Sequence, residues 1–115
     1  MVMPDNEVLR GFVAEYLTSF VVWDLFDLYA SDPSAEGRAV DIAYLIGRDP
    51  GQVAEGLREL ADMGFVKAGG SEDDPHYRYD PPDDLAALVK QFAEATAERD
   101  FRLTALVDLL ARSAS

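Results

Sequence analysis

The stretch DIAYLIGRDPGQVAEGLRELADMGFV, residues 41–66, leaves little freedom in local structure. Ile42 and Ile46 recur one helical turn apart, and Val53, Leu57 and Leu60 repeat at the spacing that places apolar side chains on one helix face. Between the two runs stand Gly47, a helix-ending residue, and Asp49-Pro50, an N-cap followed by the residue best suited to the first helical position. Gly64 stops the second run, and Phe65-Val66 starts an extended segment. The pattern predicts two short helices joined by a tight turn, with Ala43 small where they cross.

The flanking segments extend this pattern. Asp5 is an N-cap for a helix whose apolar stripe is Val8, Leu9, Phe12, Val13, Tyr16 and Leu17. Thr18-Ser19 can cap a further segment with Val22, Leu25, Phe26 and Tyr29 on one face, so residues 5–30 form one helix or two. SDPSAEG, residues 31–37, reads as a loop. FVKA and HYRYD are strands flanking GGSEDDP, a hairpin with an acidic tip. Asp80-Pro81-Pro82-Asp83 starts a last helix reaching about Arg112, with Leu85, Leu88, Val89, Phe92, Leu103, Leu106, Val107 and Leu110 on one side. A helix of about 30 residues spans roughly 45 Å. That is too long for one small domain to cover, so Leu85, Leu88, Phe92, Arg99, Leu103, Leu106 and Leu110 are expected to form a dimer interface. Thr96 and Arg99 interrupt the stripe. Either Arg99 pairs with an acid across the dimer, or the packing ends there and Arg99 reaches water.

The order helix, helix, helix, hairpin, helix, and above all residues 41–66, resembles the ArsR-like and MarR-like winged-helix regulators without a gap. The resemblance implies a mainly α fold with a small β-hairpin: a winged helix-turn-helix with additional N- and C-terminal helices. As one domain over 1–115 it divides into an N-terminal helical region at 5–30, the helix-turn-helix at 37–64, the wing at 65–80 and a dimerisation helix at 81–112. It also implies DNA contact through the second helix of the motif and the wing. Carried over by position, the base-facing residues are Asp49, Gly51, Gln52, Glu55, Gly56 and Glu59; with Arg58, Lys67 and Arg78 they form the candidate DNA or partner contact set. Arg48 departs from the family pattern, which has an apolar residue after the turn glycine. Gly56, inside a helix, costs roughly 1 kcal/mol relative to alanine; it is either a drift site or a place where another surface comes close.

Charge argues against the implied function. The chain carries 22 acidic and 10 basic residues, a net charge of −12, which repels polyanions at long range. Residues 48–62 contain Arg48 and Arg58 against Asp49, Glu55, Glu59 and Asp62. Residues 65–84 contain Lys67 and Arg78 against Glu72, Asp73, Asp74, Asp80, Asp83 and Asp84. Phosphate contacts supply much of the affinity in protein–DNA complexes and need lysine or arginine. Only Gln52 has the amide that suits adenine. Arg38, Arg48, Arg58, Lys67 and Arg78 would have to gather into a local patch to rescue DNA binding.

Other constellations carry less chemistry. There is no cysteine, which removes disulfides, thiolate metal sites and cysteine nucleophiles. His76 with Asp73 and Asp74 reads as a solvated wing tip before it reads as a metal site. Asp24 and Asp27 mark a solvated helix face rather than paired acid chemistry. Phe20, Trp23, Phe26 and Tyr29 are core, or else the wall of an apolar pocket. No nucleophile with its base and no phosphate loop is present, so no enzyme is expected, and no cofactor or metal. MVMPDNEVLR is not a signal peptide, and FVVWDLFDLY is short and broken by Asp24 and Asp27, so the expectation is a cytoplasmic protein without a membrane span. Two functions remain in view: a homodimeric transcriptional regulator whose direct, high-affinity DNA binding is electrostatically disfavoured, or a protein–protein interaction module on the same fold with a basic partner.

Overall fold

The structure, a computed structural model, describes residues 6–113. The elements run α1 Asn6–Tyr16, α2 Phe20–Ser31, β1 Glu36–Arg38, α3 Ala39–Ile46, α4 Pro50–Asp62, β2 Val66–Gly70, β3 Pro75–Tyr79, α5 Asp83–Ala95 and α6 Arg99–Ser113. The N-cap expected at Asp5 lies outside the described residues.

Residues 6–31 form two helices, not one. The backbone breaks at Ser19, whose Oγ accepts a hydrogen bond from the Val22 amide at 3.1 Å and starts α2. Leu9, Phe12, Val13 and Leu17 face inward from α1, and Val22, Leu25, Phe26 and Tyr29 from α2. The core is aromatic at its centre. Phe26 lies 5.1 Å from both Phe12 and Phe65, and Phe92 lies 5.5 Å from Phe12, ring centre to ring centre. These rings join α1, α2, the entry to β2 and α5 in the tilted and edge-on geometries that aromatic quadrupoles favour.

The segment 31–37 is not loop throughout. Glu36–Arg38 forms β1, which pairs antiparallel with β3, giving the sheet order β1-β3-β2. Three residues without apolar alternation carry no strand signal; the pairing with β3 creates this one. Both wing strands extend beyond the sequence reading, with Gly70 opposite Pro75, so only residues 71–74 form the tip.

The C-terminal helix expected over 81–112 is two helices. α5 ends at Ala95, and α6 begins at Arg99. Thr96 caps α5 and turns its hydroxyl back to the Ala93 carbonyl at 3.0 Å, inside the helix end it terminates. The break lets Ala105 and Leu109 of α6 return to the protomer core with Phe92 and Val89 of α5. Burial at home replaces the single extended stripe. At its far end α6 holds α1: the Arg112 guanidinium donates to the carbonyls of Val13, Ala14 and Leu17, at 3.2, 3.0 and 2.5 Å. These carbonyls lie at the C-terminal end of α1, where a cation is favoured. Among the described residues, no helix is long and apolar enough to cross a membrane.

Candidate recognition surface

The turn between α3 and α4 follows the sequence closely. Gly47 takes φ 69, ψ 39, a left-handed conformation that costs glycine little, and its amide returns to the Ala43 carbonyl at 2.8 Å. Asp49 then caps α4, its Oδ2 accepting from the Gln52 amide at 3.1 Å with Pro50 at the first turn. Ile42 and Ala43 of α3 are buried with Val53, Leu57 and Leu60 of α4. The crossing is thus set by side chains legible in the sequence.

α4 presents Gly51, Gln52, Glu55, Arg58, Glu59 and Asp62 to solvent. Gly56 does not belong with them. It is buried, and a Cβ placed there would sit 3.0 Å from Val21 Cγ1 and 3.1 Å from Leu25 Cδ1. Its missing side chain lets α2 approach α4, which selects the close-approach reading over drift, and Gly56 lines the floor of a groove with Gln52, Glu55 and Glu59. Two polar ties reinforce this junction. Thr18 Oγ1 donates to Oε2 of Glu59, and Arg48 pairs through Nε with Oδ2 of Asp24. Arg48, at a position expected to be apolar, is therefore half-buried against α2, and Asp24 is its partner rather than part of a solvated face.

Asp27, one turn from Asp24, is exposed but sits in a poor environment for charge. Desolvation, then the Asp24 carboxylate, pushes its pKa up to about 6. Behind the wing, Tyr29 is fully buried and stacks on Tyr79 with ring centres 4.6 Å apart; burial raises the pKa of both phenols, that of Tyr79 to about 12.

The basic residues do not gather into a free patch. Arg38 meets Asp74 at 3.1 Å and Asp41 at 3.5 Å, and Arg78 and Lys67 share Asp80 at 3.5 and 3.9 Å. Arg48 is committed to Asp24. Among the described residues, Arg58 is the one member of the five without an ion pair. The sheet pairing explains part of this: Lys67 stands opposite Arg78, and Glu36 opposite Arg78 on the other side, so charges from three strands meet on one solvent face. His76 Nε2 lies 3.3 Å from Glu36 Oε1 on the same face, not among the wing-tip aspartates.

A groove of about 500 Å³ runs between α4 and the wing. Ala54 and Ala61 of α4 line it with Ala68 and Tyr77 of the sheet, and the charged residues along it are Arg58, Asp62, Glu72, Asp73 and Asp74. Sequence reasoning missed this groove, because its small apolar residues are spread over four elements and the loop. Gly51, Gln52, Glu55 and Glu59 lie elsewhere on α4; Gln52, Glu55 and Glu59 line a second groove beside Phe20 and Arg48.

Of the residues expected at a dimer interface, Phe92 is fully buried within its own protomer and cannot face another chain. Leu85, Leu88 and Leu106 are half-buried, and Arg99 is exposed at the start of α6. Leu103 and Leu110 are 44% and 50% exposed, and Val107 is 60% exposed. The most exposed large apolar side chains of the C-terminal stripe therefore lie on α6, with Val107 among them. Phe20, Trp23 and Asp24 of α2 face Arg102, Leu103 and Leu106 of α6 across a shallow cleft of about 310 Å³. Trp23 and Phe20 are thus its walls, while Phe26 and Tyr29 are core.

No protein-family model matches the chain, and no curated protein matches it. Among solved structures, it is similar to the solution structure of the homodimeric winged helix-turn-helix DNA-binding domain (fragment 1–100) of Mb0332 from Mycobacterium bovis, described as a possible ArsR-family transcriptional regulator. The TM-score is 0.56 at 20% identity, over 86% of this chain and 92% of the other. At that identity the likeness concerns fold alone. α3 and α4 with their Gly47 turn, the β2–β3 wing and the flanking helices make this chain a winged helix-turn-helix.

Proposed function

We propose that the chain is a regulatory protein of the transcriptional-regulator type, acting as a homodimer, whose recognition helix and wing do not hold duplex DNA tightly. The observation that carries this reading is the commitment of Arg38, Arg48, Lys67 and Arg78 to carboxylates of their own chain. Each is already partly neutralised by its acid, and Glu55, Glu59 and Asp62 would face the polyanion beside it. The exposed leucines and valine of α6 support self-association, and the Mycobacterium bovis domain is a homodimer. Fluorescence anisotropy with random duplex DNA across a salt series tests the central claim. The expected result is weak or absent binding at physiological salt. Tight, saturable, steeply salt-dependent binding would overturn it. Glu55→Arg with Glu59→Arg should then create nonspecific affinity with a steeper salt slope.

A second reading, a protein–protein interaction module on the same fold, is favoured by one further observation. α3 has an exposed apolar stripe of Val40, Tyr44 and Leu45, with Tyr44 88% exposed. Contiguous exposed apolar residues mark contact surfaces, and a DNA backbone offers them nothing to bury against.

A further inference from the structure

We infer that the groove between α4 and the wing receives an arginine- or lysine-bearing segment of a partner protein, a reading that rests on the protein-interaction function proposed above. The groove combines two properties that together select such an occupant. Its walls are small and apolar: Ala54 and Ala61 on the helix, Ala68 on β2. Alanines on both sides leave room for a long, unbranched stem and give its methylenes an apolar bed. Its charged rim is strongly negative. Asp62, Glu72 and Asp73 border it, and among the described residues none of them is in an ion pair. Asp74 is also there but is held by Arg38, and Arg58 is the one cation along the groove.

The geometry suits side chains that carry charge at the end of an apolar stem. A short anion, a phosphate or a nucleic-acid backbone meets only Arg58 against three open carboxylates. A wholly apolar segment would strand those carboxylates in a site it partly dehydrates. An arginine satisfies both parts, since its stem packs on alanine while its planar head can bind a carboxylate with two hydrogen bonds. The wing tip supplies Glu72 and Asp73 from a loop of four residues, 71–74, and the helix supplies Asp62, so the carboxylates approach the groove from two sides. The groove between α4 and the wing is therefore complementary to positive charge.

The test is amide chemical-shift titration of the isotope-labelled full chain at low ionic strength. The probe is a capped pentapeptide alternating alanine and arginine, with a glutamate counterpart as control. The expected result is saturable shifts in Ala54, Ala61, Ala68 and residues 71–74 with the arginine peptide alone. Asp62→Asn with Asp73→Asn should weaken binding about fivefold, more than Glu94→Gln with Glu98→Gln, which removes the same charge elsewhere. Ala68→Trp, which obstructs the groove without changing charge, should also abolish the shifts. Equal weakening by both charge pairs, or full binding in Ala68→Trp, would mean the peptide follows the general negative field and would overturn the groove. Absence of peptide shifts together with absence of DNA binding would sink the groove proposal and leave the proposed function standing. Groove shifts with duplex DNA would sink both.

Discussion

Arg48, in the turn of the helix-turn-helix, is ion-paired with Asp24, in the middle of α2. The two side chains are about a third exposed, 34% and 37%. The pair fastens the helix-turn-helix to the helical layer behind it. Asp24→Asn and Arg48→Gln should each destabilise modestly. A double-mutant cycle by urea unfolding should return a coupling of about 0.5–1 kcal/mol, the upper range for partly exposed pairs. Strict additivity would show that the pair does not couple the elements.

The same junction depends on Gly56. Replacing it with alanine recovers roughly 1 kcal/mol of helix propensity. It also forces a methyl group to 3.0 Å from Val21 and 3.1 Å from Leu25. Overpacking of this kind costs about 1–3 kcal/mol, so Gly56→Ala should lower unfolding stability by up to about 2 kcal/mol. Gly56→Val should cost more. A gain in stability for alanine would mean that α2 can withdraw without loss.

Asp27 makes stability depend on pH. Its folded-state pKa, about 6, lies above the ordinary 3.8, so the folded protein binds this proton more tightly than the unfolded chain. The contribution favours the fold at low pH and is lost as pH rises from 3.8 through about 6. Asp27→Asn should therefore raise the melting temperature relative to wild type above that window, with the difference shrinking as pH falls through it. Parallel thermal melts at several pH values read this directly. A difference independent of pH would mean that Asp27 titrates as an ordinary carboxylate.

The proposed homodimer is tested on α6. Val107→Asp with Leu110→Asp alters side chains that are 60% and 50% exposed within the protomer, so folding should survive, as circular dichroism would show. Sedimentation equilibrium should then report monomers where wild type is dimeric. An unchanged dimer mass would place the interface elsewhere.

Legibility in the sequence followed the range of the interaction. Gly47, Asp49-Pro50 and Gly64 announce the α3–α4 turn and the end of α4, because caps and turns depend on residues a few positions apart. The wing hairpin was legible for the same reason. β1 was not, since its strand character comes from β3, 40 residues away at His76 and Glu36. The break at Thr96 was seen only as an interruption in a stripe, and the apolar periodicity on either side made one helix look continuous. The exposed face of α4 was legible from its polar spacing, but the burial of Gly56 against α2 was not. A glycine has no side chain to declare which way it faces.

By itself the sequence determined the helix-turn-helix, its caps and the acidity of the exposed face of α4, all of which are local or additive properties. Only the tertiary structure decided which carboxylate neutralises which base, that Gly56 is a packing surface, and that α6 turns back to the core. It also assembled the alanine-lined groove from α4 and the wing. These depend on distances between residues remote in the chain, which packing sets and periodicity does not encode.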